Sequence, residues 1–306
     1  MTALLIPVLA IVGPTGVGKS SLALSVGERV GGEIISADSI QLYRGMDIGT
    51  AKPTAADLAR VPHHMIDVRE PGDYCSAGDY AREAARCIAE VHGRGRRVLV
   101  VGGSGLYIRA LLRGLSPEAR DDDLRRRLRA EAAAGGSQPL HDRLARLDPA
   151  SAARISPSDS LRICRALEVI EVTGRRLGDV HAEGASPPPY DVTMVALTMP
   201  RRDLYARIDA RVDAFMRAGF LDEVHALLAS GVDPGCPAMQ AIGYRDLARH
   251  LRGECILAEA VRLTKRNTRR FAKRQLTWFR GEGDALWIDL GSSADPVADV
   301  LALAGF

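Results

Sequence analysis

Lysine is scarce in this chain. Of the 41 basic residues among 306, four are lysine: Lys19, Lys52, Lys265 and Lys273. A bias toward Arg codons accounts for the excess of arginine. Each place that keeps a compact ammonium therefore raises the question of what it binds. Cysteine is sparse and scattered. Cys75, Cys87, Cys164, Cys236 and Cys255 are odd in number and contain no C-x-x-C, which argues against a disulfide framework and against a cysteine zinc site. The seven histidines include no H-E-x-x-H, and the pair His63-His64 reads as a turn before a strand. No apolar run approaches the length of a membrane span. The apolar start Leu4–Val12 lacks the basic segment of a signal peptide and runs straight into a glycine loop, so a cytoplasmic enzyme is expected. The net charge is only +3, so any affinity for a polyanion has to come from where the charge sits.

What is present alternates. Leu4–Val12 and Arg97–Val101 read as buried parallel strands, Glu33–Ser36 as a shorter one and Met65–Val68 as a weak one. Lys19–Val30, Ala77–His92 and Ser104–Arg113 read as helices, the first two closed by glycines. Such alternation implies right-handed βαβ units and a parallel sheet. From Ser116 the texture is helical: Asp121–Ala134, Pro139–Leu147 and Ser158–Val172. Residues 184–189 form a Gly/Ser/Pro linker. Residues 116–189 are thus read as an all-helical insertion in an α/β core of residues 1–115 and 190–306. Asp191–Thr198 resumes the sheet. Helices follow at Asp203–Ala218, Leu221–Ser230, Tyr244–Leu251 and Leu257–Arg280, and Ala285–Leu290 is a candidate last strand.

Gly13-Pro14-Thr15-Gly16-Val17-Gly18-Lys19-Ser20 matches G-x-x-x-x-G-K-[ST] in full, between a strand and a helix. Glycines let successive N–H groups converge on one anion, and the helix N-terminus adds partial positive charge. Lys19 supplies a point charge, and the Ser20 hydroxyl can take Mg²⁺. The loop specifies a polyphosphate, not ATP. A Walker B strand is missing, Met65-Ile66-Asp67 being the nearest candidate. Asp38 follows the second strand, at the edge where ligands bind in open parallel sheets. Residue type alone favours a turn cap for Asp38 and Ser39. Position favours a catalytic or Mg²⁺-binding acid, because a carboxylate beside phosphate is otherwise costly.

Several blocks together carry a resemblance. They are Gly13–Ser20, Asp38–Gln41, Gly45–Pro53, Val101–Ser104, Arg162–Val169, Ile242–Arg245 and Lys273–Arg280. In these the chain resembles the bacterial tRNA dimethylallyltransferases, also called tRNA isopentenyltransferases. The resemblance implies a P-loop NTPase-like parallel sheet core carrying an all-helical insertion that contacts tRNA. It implies transfer of a dimethylallyl group from dimethylallyl diphosphate to N6 of the adenine 3′ of the anticodon, with Mg²⁺ as cofactor and the adenine flipped into a channel. The implied catalytic residues are Asp38 as general base, Ser104 and Arg211, the last on the diphosphate side. The implied tRNA contacts are Asp38, Ser39, Ile40, Gln41 and Ser104. On the insertion they are Arg125, Leu161, Arg162 and Arg165, and later in the chain Gly243, Tyr244, Arg245, Lys273, Arg274, Gln275 and Arg280. Ser104 stands where the family usually has Thr, and Leu161 where it often has Gln. A monomer that does not enter the membrane and meets the tRNA anticodon stem-loop is expected.

Charge placement adds to this. Val261–Arg280 holds eight basic residues and no acid. On a helix Arg262, Arg266, Arg269, Lys273 and Arg280 share one face, and Leu263, Phe271 and Trp278 cluster opposite. A polyanion is the expected partner. Arg207 and Arg211 are spaced i, i+4, and either ligand binding or pairing with Asp203, Asp209 or Asp213 fits them. The competing function is a small-molecule or nucleotide kinase using ATP on the same loop.

Overall fold

The computed structural model describes residues 5–114, 121–182 and 188–305. It divides into two compact units, Met1–Leu112 with Pro189–Phe306, and Arg113–Pro188.

The first unit is built on six strands: β1 (Ile6–Val12), β2 (Gly32–Ala37), β3 (His63–His64), β4 (Arg97–Gly102), β5 (Tyr190–Thr198) and β6 (Leu286–Asp289). All neighbours pair in parallel, in the order β3-β2-β4-β1-β5-β6. Both faces of this sheet are covered, which is why its central strands are nearly unbroken apolar runs. Val8, Ala10, Val12, Val98 and Val100 point into one core, and Leu9, Ile11, Leu99, Val101 and Val195 into the other.

Two expectations fail beside this sheet. The third strand is His63–His64 itself, and Met65–Val68 is not a strand. Met65 and Asp67 have φ of 63° and 54°, incompatible with extended backbone. The segment instead turns back on the rest of the unit: Asp67 N–H donates to the Gln41 carbonyl, and the Lys52 ammonium binds the Asp67 carboxylate. Met65-Ile66-Asp67 is therefore no Walker B strand.

The second unit contains helices Asp122–Gly135, Gln138–Leu147, Pro149–Ala152, Ser160–Thr173 and Leu177–Ala182. Aspartates at 121, 148 and 159 accept backbone N–H groups at three of their starts, as capping requires. Leu124, Leu128, Leu140, Leu144, Ile163 and Leu167 form its core.

Candidate active site

Register sets the site. Val12 pairs with Gly102 and Gly102 with Ala37. Gly13, Gly103 and Asp38 therefore leave the sheet side by side at its C-terminal edge. Gly13 has φ 144°, and a Cβ there would lie 2.8 Å from the Leu197 carbonyl oxygen of β5, so that position excludes a side chain. The loop leads into the helix Lys19–Val30, whose N-terminus faces the same edge.

Lys19 donates to the Pro14 carbonyl at 2.9 Å. Burial pulls its pKa down to about 8, with Asp38 opposing and Arg211 adding to the shift. Burial also lowers the pKa of Arg211, and Asp38 again opposes. Asp38 does cap a turn: its Oδ1 accepts from Ile40 N–H at 2.9 Å and from Gln41 N–H at 3.4 Å. Those bonds orient the carboxylate, and the same side chain lines two adjoining cavities. The turn-cap reading and the catalytic reading are thus both compatible with its geometry.

The smaller cavity, about 100 Å³, is lined by the phosphate-loop residues Thr15, Lys19 and Ser20 together with Asp38 and His63. The larger, about 340 Å³, is mainly apolar, with Ile208, Val212, Phe215, Phe220 and Phe271 in its wall and Ser104 at its polar end. Thr15, Asp38, Thr50, Arg211, Phe271 and Gln275 belong to both. A polar pocket for an anion thus opens into a chamber for apolar or planar groups, and a carboxylate and a guanidinium stand where they join.

The profile of a family described as IPP transferase matches residues 41–282. The tRNA dimethylallyltransferase of Geobacter sulfurreducens is 47% identical over 292 residues, 95% of this chain and 94% of that one. The chain belongs to the IPP transferase family. The tRNA dimethylallyltransferase of Symbiobacterium thermophilum is 50% identical over 287 residues, 93% and 90% of the two chains. Among solved structures, the tRNA isopentenylpyrophosphate transferase of Bacillus halodurans superposes with a TM-score of 0.73 at 42% identity, covering 98% of this chain and 95% of that one. A eukaryotic dimethylallyltransferase acting on tRNA gives a TM-score of 0.86 at 25% identity, covering 98% and 79%. The chain is thus a transferase of this family on a P-loop NTPase-like core, and the kinase alternative is not favoured.

The residues that the family resemblance singled out fall into three groups. Asp38, Ser39, Ile40, Ser104, Arg211, Tyr244, Arg274 and Gln275 line the larger cavity. Ser104 Oγ accepts from Ser39 N–H at 3.0 Å, so the hydroxyl fixes the Asp38 turn without needing a threonine methyl. A second group braces the walls. Gln41 donates to the carbonyls of Thr50 and Ala51 and accepts from Ser36. Gly243 starts the helix Tyr244–Leu251, where Phe220 leaves no room for a Cβ. Tyr244 donates to Glu223 at 2.6 Å, and burial beside that carboxylate raises its pKa. Arg245 is half-exposed, 3.9 Å from the buried Asp246. The third group lies in the helical unit. Arg125 and Arg165 both bind the fully buried Glu168. Leu161 is 66% exposed, and Arg162 is exposed beside the helix-capping Asp159.

The basic helix Leu257–Arg280 departs from its expected faces. Its buried side is Ala260, Thr264, Ala272, Gln275 and Phe279. Phe271 lines both cavities, and Trp278 lies under the Arg109 guanidinium at 4.5 Å. Acids reach its basic face from two places: Glu259 in its own first turn pairs with Arg262, and from the helix Arg201–Arg217 Asp209 pairs with Arg269 and Asp213 with Lys265. Among the described residues no ion pair joins these two aspartates or Asp203 to Arg211. Arg270, Lys273, Arg274 and Arg280 remain exposed. Gln275, expected on the RNA side, is 6% exposed and bonded beneath the phosphate loop.

Sequence reasoning missed Thr50 and Glu223. The Glu223 carboxylate accepts the backbone N–H groups of Asp47, Ile48 and Gly49 and so fixes the wall that carries Thr50. Nothing near Glu223 in the sequence signals a contact about 175 residues away. Among the described residues no group of three or more His, Cys, Asp or Glu side chains could hold a metal, and no helix is long and apolar enough to cross a membrane.

Proposed function

We propose that this protein transfers the dimethylallyl group of dimethylallyl diphosphate to N6 of the adenine 3′ of the anticodon in tRNA and releases diphosphate. The observation that carries this reading is the pair of joined cavities, with Asp38 and Arg211 at their junction. The diphosphate sits on the phosphate loop in the smaller cavity, against Lys19 and the helix N-terminus. The prenyl chain and the flipped adenine share the larger one. The N6 amine attacks C1 of the prenyl group and the C1–O bond breaks. Asp38 takes the N6 proton as general base. Lys19 and Arg211 stabilise the charge gathering on the leaving diphosphate. Ser20 and Asp38 both line the smaller cavity, and such hard oxygen donors suit Mg²⁺. When bound there, the ion neutralises part of the diphosphate charge. The tRNA lies on the exposed cations Lys273, Arg274 and Arg280, on Arg245, and on Leu161 and Arg162 of the helical unit. The protein acts as a monomer in the cytoplasm.

The test uses labelled dimethylallyl diphosphate and labelled ATP, each with and without tRNA. Prenyl label should enter tRNA without ATP consumption. Label moving from ATP to an acceptor would overturn the reading.

A further inference from the structure

Gln275 lies in the helix Leu257–Arg280, between exposed cations and the phosphate loop. Its side chain is buried, and both ends of its amide are used. Oε1 accepts from Thr15 N–H at 2.8 Å, and Nε2 donates to the Gly103 carbonyl at 2.9 Å. Packing is close on the far side, where a Cβ on Gly103 would fall 2.3 Å from Nε2. The next residue continues the chain of contacts: Ser104 Oγ accepts from Ser39 N–H, and Ser104 N–H donates to the Ala37 carbonyl. A line of hydrogen bonds therefore runs from the phosphate loop through Gln275 and the Gly103-Ser104 turn to the residues flanking Asp38. Thr15 N–H is thus taken up by Gln275 inside the loop.

We infer that Gln275 is a positioning residue that fixes the distance between the phosphate loop and Asp38, and so between the leaving diphosphate and the base. The bridge is made by a side chain because the sheet cannot make it. β1 and β2 are not neighbours; β4 lies between them, and beyond its last pair no ladder bond ties the two loops. An amide suits this place, since it donates to a carbonyl and accepts from an N–H at once, without a charge beside the phosphate. The two flanking loops carry the two reacting partners, so a small shift between them acts on the chemical step more than on the affinity for RNA.

Gln275→Met keeps the length and the packing and removes both hydrogen bonds. At saturating substrates its kcat should fall about 10²-fold, as misplacement of reacting groups by an ångström does. Its Kd for inorganic diphosphate with Mg²⁺ should rise about tenfold, because the phosphate loop is no longer held in its binding shape. Its thermal midpoint should fall by a few degrees, as two unpartnered polar groups require. Its Kd for tRNA should stay near that of the unaltered protein, and its kcat should fall even at temperatures where it is fully folded, which a merely structural role would not give. Gly103→Ala disturbs the same bond from the other side and should reproduce the pattern. Wild-type kcat and diphosphate affinity in a folded Gln275→Met protein would overturn the inference. Should that variant not fold, the same result in Gly103→Ala would overturn it. The kinetic part rests on the reaction proposed above, whereas diphosphate binding is measured without RNA or prenyl group. A protein that moves no prenyl label would therefore end the proposed reaction and leave the bridge to be judged on diphosphate binding.

Discussion

Arg125 and Arg211 are both largely buried arginines, and they differ in what faces them. In the helical unit, Arg125 meets Glu168 at 2.8 Å, and Arg165 meets the same carboxylate at 3.0 Å. Glu168 also accepts the N–H of Asp121 at 3.1 Å. In that cluster a buried anion is answered from three sides. In the α/β unit, Arg211 stands at the junction of the two cavities and Lys19 lines the smaller one. The nearby acids Asp209 and Asp213 turn instead to the basic helix. Asp38 offers partial compensation, and burial still lowers both cations' pKa values. The comparison separates charge that holds a unit together from charge kept for a ligand.

The sharpest way to break that comparison is to ask whether Asp38 serves its cations as Glu168 serves its own. Asp38→Ala should lower kcat by about 10²–10⁴-fold, the loss expected of a general base, while the fold and diphosphate binding survive. A drop in thermal midpoint matching that of a broken buried ion pair would place Asp38 with Glu168 instead. The converse change is Glu168→Ala. It leaves two arginines without their anion and should cost about 3 kcal/mol in denaturant unfolding, with diphosphate binding unaltered in the protein that remains folded.

Lys19 gives a pH test. In the proposed reaction its ammonium is the form that binds diphosphate, and burial pulls its pKa down to about 8. Affinity is therefore full below that pH, and kcat/KM for dimethylallyl diphosphate should fall about tenfold per unit above it. Lys19→Met should abolish that limb, and an unchanged limb would assign it to another group. The smallest effect concerns the basic helix. Lys273→Glu should flatten the salt dependence of tRNA binding by roughly one unit. Arg269→Ala should affect stability more than RNA binding, because Arg269 is already paired with Asp209. Equal changes in salt slope for the two would show that the internal pair opens to RNA.

The sequence disclosed what is written locally. The phosphate loop, the Asp38 turn and the central strands are short patterns whose chemistry depends on adjacent residues. Thr54 to Asp57 carried another local sign, a capping box for the helix Ala55–Arg60, which went unread. What stayed hidden depends on partners far along the chain. Hydrophobicity marked Met65–Val68 as a strand, but contacts to Gln41 and Lys52 decided its backbone. The run Val261–Arg280 shows no acids, and Glu259 just before it and two aspartates of another helix supply them. Gln275 read as one polar residue among RNA-facing cations, and its direction into the core could not be inferred from composition. Lys52 answers the question that the scarcity of lysine posed: its buried ammonium gathers the Tyr43 carbonyl and the carboxylates of Asp47 and Asp67, a compact three-way contact that a planar guanidinium would not fit.

The bond between Thr15 and Gln275 joins residues 260 positions apart. On the ribosome these residues appear at opposite ends of synthesis. β1 waits for β5, beginning at Tyr190, and the phosphate loop waits for residue 275 before its last brace can form. The helical unit, Arg113–Pro188, is contiguous and carries its own core, so it can assemble while the surrounding unit is still incomplete. Long-range closure of this kind slows folding. It also ties the finished phosphate loop to a nearly complete chain, so a nascent protein, or one truncated before residue 275, would lack this brace.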